Sequence, residues 1–211
     1  MQQETQYTIG RNAALRAGLP VTVAGQSIDR QCASGMMAIA IAARQIIVDR
    51  MDICVAGGVE SVSRVQTKEL RTSADPELLA MVPTAYMPML QTAEVVASRY
   101  NVPRDLQDEY ALQSQQRTAA AQAVGAFDDE IVPVTATMLT KDKQTGEVSS
   151  KAVTLTKDEG NRPDTTLEGL KSLPPVIGPE GVITAGNASQ LSDGASACVE
   201  MEEAVAAGRG L

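Results

Sequence analysis

The spacing of apolar positions changes several times along the chain, and each change predicts an element. Residues 4–18 repeat at helical spacing until Gly18 and Pro20 stop them. "VTVAGQSID", 21–29, alternates briefly and predicts a short strand. From Ser34 to Asp49 the Met, Ala and Ile residues fall on every side of a helix, with Arg44 and Gln45 near its end. A helix apolar all round is expected to be buried all round. "DICVAGG", 52–58, predicts a buried strand ending at two glycines, where the backbone turns tightly.

After Arg64 the pattern loosens. Residues 65–88 contain Pro76, Pro83 and Pro88 and predict an irregular excursion. In "LQTAEVVASRYNV", Ala93, Val96, Ala97 and Tyr100 follow i, i+3, i+4, i+7 spacing, which predicts a helix ended by Asn101. Pro103 suits the first turn of another helix, "PRDLQDEYALQSQQRTAAAQAVG", stopped by Gly125. That helix is mostly polar and is expected to lie on a surface. "EIVPVTATML" predicts a strand, and the stretch after it a hairpin turning at Thr145-Gly146, then a polar loop. Leu167, Leu170 and Leu173 mark a short helix, and 181–211 reads as loop, glycine turn, strand and helix start.

These elements divide into a compact α/β layer unit, 1–64 with 183–211, and a looser, largely helical insertion, 65–182. The length of 211 residues fits one domain with an insertion. Aromatics make up only 2%, so the core must be built from Ala, Val, Ile, Leu and Met. The apolar helix at 34–49 demands more cover than the rest of the chain is expected to supply.

A net charge of −8 opposes binding to nucleic acid or an anionic membrane surface. An anionic ligand therefore needs a local cation or a helix terminus. The first residues have no apolar h-region of a signal peptide, and Met36–Ala43 is too short an apolar run to span a bilayer. Cys32, Cys54 and Cys198 form neither a zinc pattern nor a disulfide framework, so a reducing cytoplasm is the expected compartment. No histidine is present, which excludes Ser-His-Asp, Cys-His and His-metal chemistry assembled within these residues alone.

Three places hold candidate chemistry. Cys32 lies at or just before a helix start, where unpaired N–H groups and the macrodipole favour an anion. It is either a nucleophile or a small packing residue. Cys54 and Cys198 lie in strand-like runs and are expected to pack in a core. Arg162, in the polar loop "EGNRPDTT", is either a phosphate contact or a solvated arginine. "TAGNASQLSDGAS" is either a ligand wall or an elaborate turn.

The segments "DRQCASGMMAIAIAA", "DICVAGGVESVSR", "TAEVVASRYNVPRDLQDEYALQSQQR", "NRPDTTLEGLKSL" and "GVITAGNASQLSDGASA" occur in an order and spacing that resemble a thiolase over nearly the whole chain. A ketoacyl synthase, the nearest enzymatic rival, lacks the pairing of "AGGVES" with "TAGNAS". The resemblance implies a layered α-β-α-β-α thiolase fold, incomplete here, with a mostly helical loop domain covering CoA. It implies that Cys32 is the acyl-accepting nucleophile at the start of an interior helix.

By the same resemblance Arg162 lies by the adenine and phosphates of CoA, Ala185 and Ser189 beside its pantetheine arm, and Met89 and Ile177 in the acyl pocket. No metal or cofactor is implied; CoA is a substrate. The implied reaction is acyl transfer between 3-oxoacyl-CoA and CoA through an acyl-cysteine.

There are departures from the family pattern. Pro88 stands where members with a His-Met pair have histidine, Ile177 where Phe is usual, and Glu200 where an apolar strand residue is usual. The family's C-terminal motifs, which carry the activating histidine and a second cysteine, are missing. The resemblance is therefore to a thiolase shortened at both ends, inactive or dependent on its other half in cis or trans. Bare apolar surface is expected, and a homodimer or tetramer when the protein is complete. The alternative is a non-catalytic CoA-binding or interaction module.

Overall fold

The computed structural model describes residues 8–65 and 74–211. Among these, the chain forms two compact units, one from Met1–Ala74 with Leu191–Leu211, the other Asp75–Gln190. The fold is mixed α/β, with two separate two-stranded antiparallel sheets among the described residues.

In the first unit, α1 spans Ile9–Arg16 and ends at Gly18, whose φ of +82° suits glycine. The predicted helix residues 4–7 lie outside the described residues. The strand expected at 21–29 does not form. The Arg11 guanidinium donates to the carbonyls of Val21 and Val23, and Ser27 Oγ accepts from Gly10 N. These bonds lay the segment along α1, and its backbone groups pair with no strand.

Helix α2, Ser34–Asp49, ends on Arg50 in the left-handed conformation. Strand β1, Ile53–Glu60, is followed by the single turn α3, Val62–Val65. It pairs antiparallel with β4, Gly194–Met201, in a register running from Ile53 opposite Met201 to Glu60 opposite Gly194. Gly57 is required there, because a Cβ would sit 2.6 Å from the Ser196 carbonyl oxygen. Helix α8, Glu203–Gly208, follows β4.

The core of this unit is small: Ala42, Cys54 and Ala56, flanked by Ala38 and Ile46. Helix α2 lies mainly over β1 and less over β4. Its burial is thus one-sided, contrary to the all-round burial expected from its composition. Met36, Ile39, Ile47 and Val48 are exposed, Met36 by 78%. Cys198, expected in a core, is exposed as well, since α2 favours β1. By length and composition alone 31–49 is apolar enough to cross a membrane, which the shorter run 36–43 did not predict. Its small-residue side nevertheless packs on a sheet.

The second unit opens with α4, Pro76–Met81, inside the expected irregular excursion, of which 66–73 lie outside the described residues. Asp75 caps it by accepting from Glu77 N and Leu78 N. Helix α5 spans Met89–Arg99, and α6 spans Arg104–Ala123 with Gly125 at φ +71° after it. Strands β2, Val134–Lys141, and β3, Val148–Leu155, form the expected hairpin. Asp142 Oδ1 closes its turn by accepting from Gln144 N and Thr145 N. Helix α7, Leu167–Lys171, is capped by Thr166. Although polar, α6 is no plain surface helix: it packs on α7, and Asp108 is completely buried.

Candidate functional site

The residues around Cys32 form a stapled turn. Asp29 Oδ1 accepts from Gln31 N, and Ser34 Oγ both accepts from Arg30 N and donates to the Gln31 carbonyl. Gln31 is held at φ +51°, a left-handed conformation that costs a non-glycine residue energy and must be fixed by its surroundings. Cys32 follows it, exposed and free, and Ala33 is the N-cap of α2. Alanine offers no side-chain cap, so the first-turn amides of α2 are left without a side-chain acceptor. On its open side the turn can receive a ligand carbonyl or anion. The apolar run that follows keeps that helix start on the sheet: a Cβ at Gly58 of β1 would lie 3.7 Å from Gly35 Cα.

The other cysteines differ. Cys54 is buried, and burial first, then the neighbouring Glu200 carboxylate, pushes its thiol above the usual cysteine range. Glu200 stands opposite Cys54 in the β1–β4 ladder and is half-buried beside Ile46 and Ile47. Asp193 lies near the other end of that ladder. The Ser63 hydroxyl and amide donate to it, and Ser61 more weakly, holding its carboxyl below the usual range.

The remaining sequence candidates belong to the second unit. Arg162 is exposed in a turn in which its carbonyl accepts from Thr165 N and Oγ1. Its amide donates to Gln115 Oε1 of α6 at 2.8 Å. Asn161 donates to the same oxygen and to the Gln115 carbonyl, while its own Oδ1 is buried without a partner.

Ala185 and Ser189 are exposed on the tight loop 184–189, which is held by the side chains of Thr184 and Asn187. Thr184, completely buried, receives the Gly186 and Asn187 amides on its hydroxyl. Asn187 Oδ1 accepts from Thr184 N, and Asn187 Nδ2 donates to the Val182 carbonyl and to Asp108 Oδ1. Met89 is exposed at the start of α5, and Ile177 is half-buried in the turn before Gly178. Glu94 of α5 accepts the Val182 and Ile183 amides, and Val176 N donates to the Ile183 carbonyl. The helix carrying Met89 and the loop carrying Ile177 are thus tied to one short segment.

Reading the residues for chemistry missed Gln115, Asp108 and Glu94. Gln115 and Asp108 sit on a helix expected to lie on a surface, and Glu94 on an amphipathic one, so their types gave no signal of the loop amides they bind. Among the described residues no three His, Cys, Asp or Glu side chains gather as a metal site would require.

An α/β unit presenting an exposed cysteine before an apolar helix, with a second unit of helices and bonded loops, defines a recognisable class. Residues 1–204 match the family described as thiolase, N-terminal domain. The chain belongs to the thiolase family. It is 40% identical to a 3-ketoacyl-CoA thiolase of Bacillus subtilis, an alignment covering 100% of this chain and 54% of that protein. A beta-ketoadipyl-CoA thiolase of Acinetobacter baylyi is 43% identical over 96% of this chain and 53% of its own length.

Solved structures agree. The dimeric peroxisomal thiolase of Saccharomyces cerevisiae aligns with a TM-score of 0.78 and 34% identity, over 95% of this chain and 49% of that one. Human mitochondrial 3-ketoacyl-CoA thiolase in complex with CoA gives 0.73 and 33%, over 95% and 50%. The chain spans about half the length of the curated relatives it matches.

Proposed function

We propose that this chain carries the acyl-accepting half of a thiolase reaction, with Cys32 as the nucleophile. One observation carries the reading: Cys32 is exposed on a stapled, left-handed turn directly before the uncapped start of an apolar helix, in a chain of this family. The Cys32 sulfur, as thiolate, attacks the keto carbon of a 3-oxoacyl-CoA. The bond between that carbon and the acetyl unit breaks with its electron pair on the acetyl carbon, which takes up the proton that the thiol gave up, and acetyl-CoA leaves while the shortened acyl group stays on sulfur. A second CoA then takes the acyl group, dividing one difficult step into two.

Arg162 contacts the nucleotide end of CoA, Ala185 and Ser189 the pantetheine arm, and Met89 and Ile177 the acyl group. The base that takes up the thiol proton comes from sequence equivalent to the other half of the relatives, in cis or trans, because these residues hold no histidine. Reducing surroundings suit the free thiols, with the cytoplasm as the proposed compartment, and a dimer or tetramer suits the completed protein.

The lack of histidine also supports a second reading, a CoA-binding module without turnover. Incubation with a 3-oxoacyl-CoA followed by peptide mass analysis separates the two. Slow acylation at Cys32, absent in Cys32→Ala, supports acyl transfer. CoA binding with no acylation supports the module. Sustained thiolysis is expected to be slower than in a complete thiolase by at least about a thousandfold, as when a nucleophile loses its base. Multiple turnover by these residues alone would contradict the need for an outside base.

A further inference from the structure

The interior stripe of α6 is polar where a helix stripe is ordinarily apolar. Arg104, Asp108, Gln115 and Gln122 are four, seven and seven residues apart. At 3.6 residues per turn they fall within about 40° of one another on the helix. Each is bonded to another segment of the second unit: Arg104 to the C-terminal end of α7, the others to loops or turns. Arg104 Nη2 donates to the Leu170 and Leu173 carbonyls, and its Nε to Asp108 Oδ2 at 2.7 Å. Asp108 Oδ1 receives Asn187 Nδ2 at 3.1 Å. Gln115 Oε1 receives Asn161 Nδ2 and Arg162 N, each at 2.8 Å. Gln122 Nε2 donates to the Asp158 carbonyl.

We infer that Gln115 and Asp108 are positioning residues for CoA, fixing on one rigid helix the two turns that hold its nucleotide end and its pantetheine arm. The inference rests on the CoA reading of Arg162, Ala185 and Ser189 given above. Neither positioning residue touches the ligand. The two anchor points are seven residues apart, about 10 Å along the helix at 1.5 Å per residue. A helix does not stretch over two turns, so the spacing between the two turns is set before CoA arrives. Preorganisation of this kind strengthens binding by removing the ordering cost that loose loops would carry. The division of labour is specific: Gln115 serves the 161–162 turn, and Asp108, through Asn187, serves 184–187.

Gln115 acts only as an acceptor towards Asn161 and Arg162, so a carboxylate can replace its amide. Calorimetry on the full chain with CoA, 3′-phospho-ADP and pantetheine therefore tests the assignment. Gln115→Leu and Gln115→Ala are expected to weaken CoA and 3′-phospho-ADP by about tenfold, the loss of two modest hydrogen bonds, and to leave pantetheine unchanged. Gln115→Glu is expected to restore the nucleotide affinity. Asp108→Asn is expected to weaken pantetheine and CoA but not 3′-phospho-ADP. A merely structural role would lower all three ligands together in every variant, and Glu would not restore one ligand selectively.

Unchanged nucleotide affinity in both Gln115→Leu and Gln115→Ala overturns the inference while leaving the CoA reading intact. So does an equal loss for nucleotide and pantetheine. Failure of the unaltered chain to bind CoA, with Arg162→Ala no different, overturns the CoA reading and this inference with it.

Discussion

The two units invert the usual relation between a side chain and its surroundings. In the first, α2 and β4 carry Met36, Ile39, Ile47, Val48 and Val199 in the open, and the buried core is two alanines and a cysteine. In the second, an aspartate and a threonine are the most deeply buried side chains, set among Ala97, Leu170 and Ile183. Both units expose apolar side chains, Met81, Met89 and Val124 in the second among them. They differ inside: the second is tied together by buried hydrogen bonds, with both carboxylate oxygens of Asp108 matched. Burial of a charge is tolerable only when its partners are in place. Such an arrangement resists change at one point and fails at another. An apolar pattern states which side chains need cover; it does not say that the same chain provides it.

The sharpest way to break that comparison is Asp108→Ala against Ile47→Thr. Removing the carboxylate strands Arg104 and Asn187 at once. The expected loss is about 3 kcal/mol, at the low end for a broken buried pair. The low end applies because Arg104 keeps its carbonyl partners and its side chain is 21% exposed. Ile47 is 68% exposed, so its replacement is expected to change stability by no more than about 0.5 kcal/mol. Hydrogen exchange read separately over α6 and α2 measures both. A large loss at Ile47 would mean that the open face of α2 is covered in solution, and the contrast between the units would vanish.

Two glycines give the next largest difference. Gly186 lies under α7, where a Cβ would meet Leu170 Cδ2 at 2.5 Å and Leu173 Cδ1 at 2.6 Å. Gly186→Ala is expected to cost about 1–3 kcal/mol as an overpacked site. At Gly35, in the first turn of α2, a Cβ would meet nothing within 4 Å. Gly35→Ala is expected to stabilise by about 0.5 kcal/mol, since alanine loses less backbone freedom in a helix. Thermal melting of the two variants checks the opposite signs. A stabilising Gly186→Ala would show that the 184–189 loop is looser than its bonding implies.

Differential alkylation asks the same question of the thiols. Cys32 and Cys198 are exposed, and Cys54 is buried with its thiol pushed up by that burial and by Glu200. Only the thiolate attacks, so Cys54 is expected to be modified last, by at least about tenfold in rate. Peptide mass analysis after timed iodoacetamide treatment follows each site. Rapid labelling of Cys54 would show that α2 lifts from β1, whose contact rests on alanines.

The elements with strong periodicity were legible. Helix α2 runs over the residues that its apolar run marks, and α5, α6, the β2–β3 hairpin and α7 lie where spacing and turn residues put them. Helix α4 was missed: Asp75-Pro76-Glu77 offers a cap, a first-turn proline and an acid, but the prolines around it make 65–88 read as irregular. The strand at 21–29 failed because alternation is a property of one segment and a strand needs a partner. Of the candidate site, the position of Cys32 before a helix could be read directly. Gln31 and Ser34, which fix that position, could not, since a left-handed glutamine leaves no mark in composition. Asp108 and Gln115 were hidden by their chemistry: a polar residue on a polar helix signals solvent, and only its bonding partners reveal otherwise.

The smallest expected effect is a pH dependence confined to the first unit. Asp193 joins the start of β4 to the turn after β1 by accepting from Ser63 Oγ, Ser63 N at 3.0 Å and Ser61 Oγ. Those donors hold its carboxyl below the ordinary aspartate value of about 3.9. A carboxyl with a lowered pKa when folded binds fewer protons than it does unfolded. Its contribution is therefore fully present above the ordinary range and is lost as pH falls through the lowered value. Asp193→Asn removes the ionised acceptor but leaves one amide oxygen. Amide exchange at Ser63 in the variant and the unaltered chain is thus expected to differ at neutral pH and to converge as pH falls below the ordinary aspartate range. Exposure of the carboxylate to solvent keeps the gap small. The readout must be local, such as exchange at the Ser63 amide, because the second unit's buried network is expected to dominate a global melt. A gap that persisted unchanged at low pH would show that hydrogen-bond geometry alone, independent of charge, ties β4 to the turn.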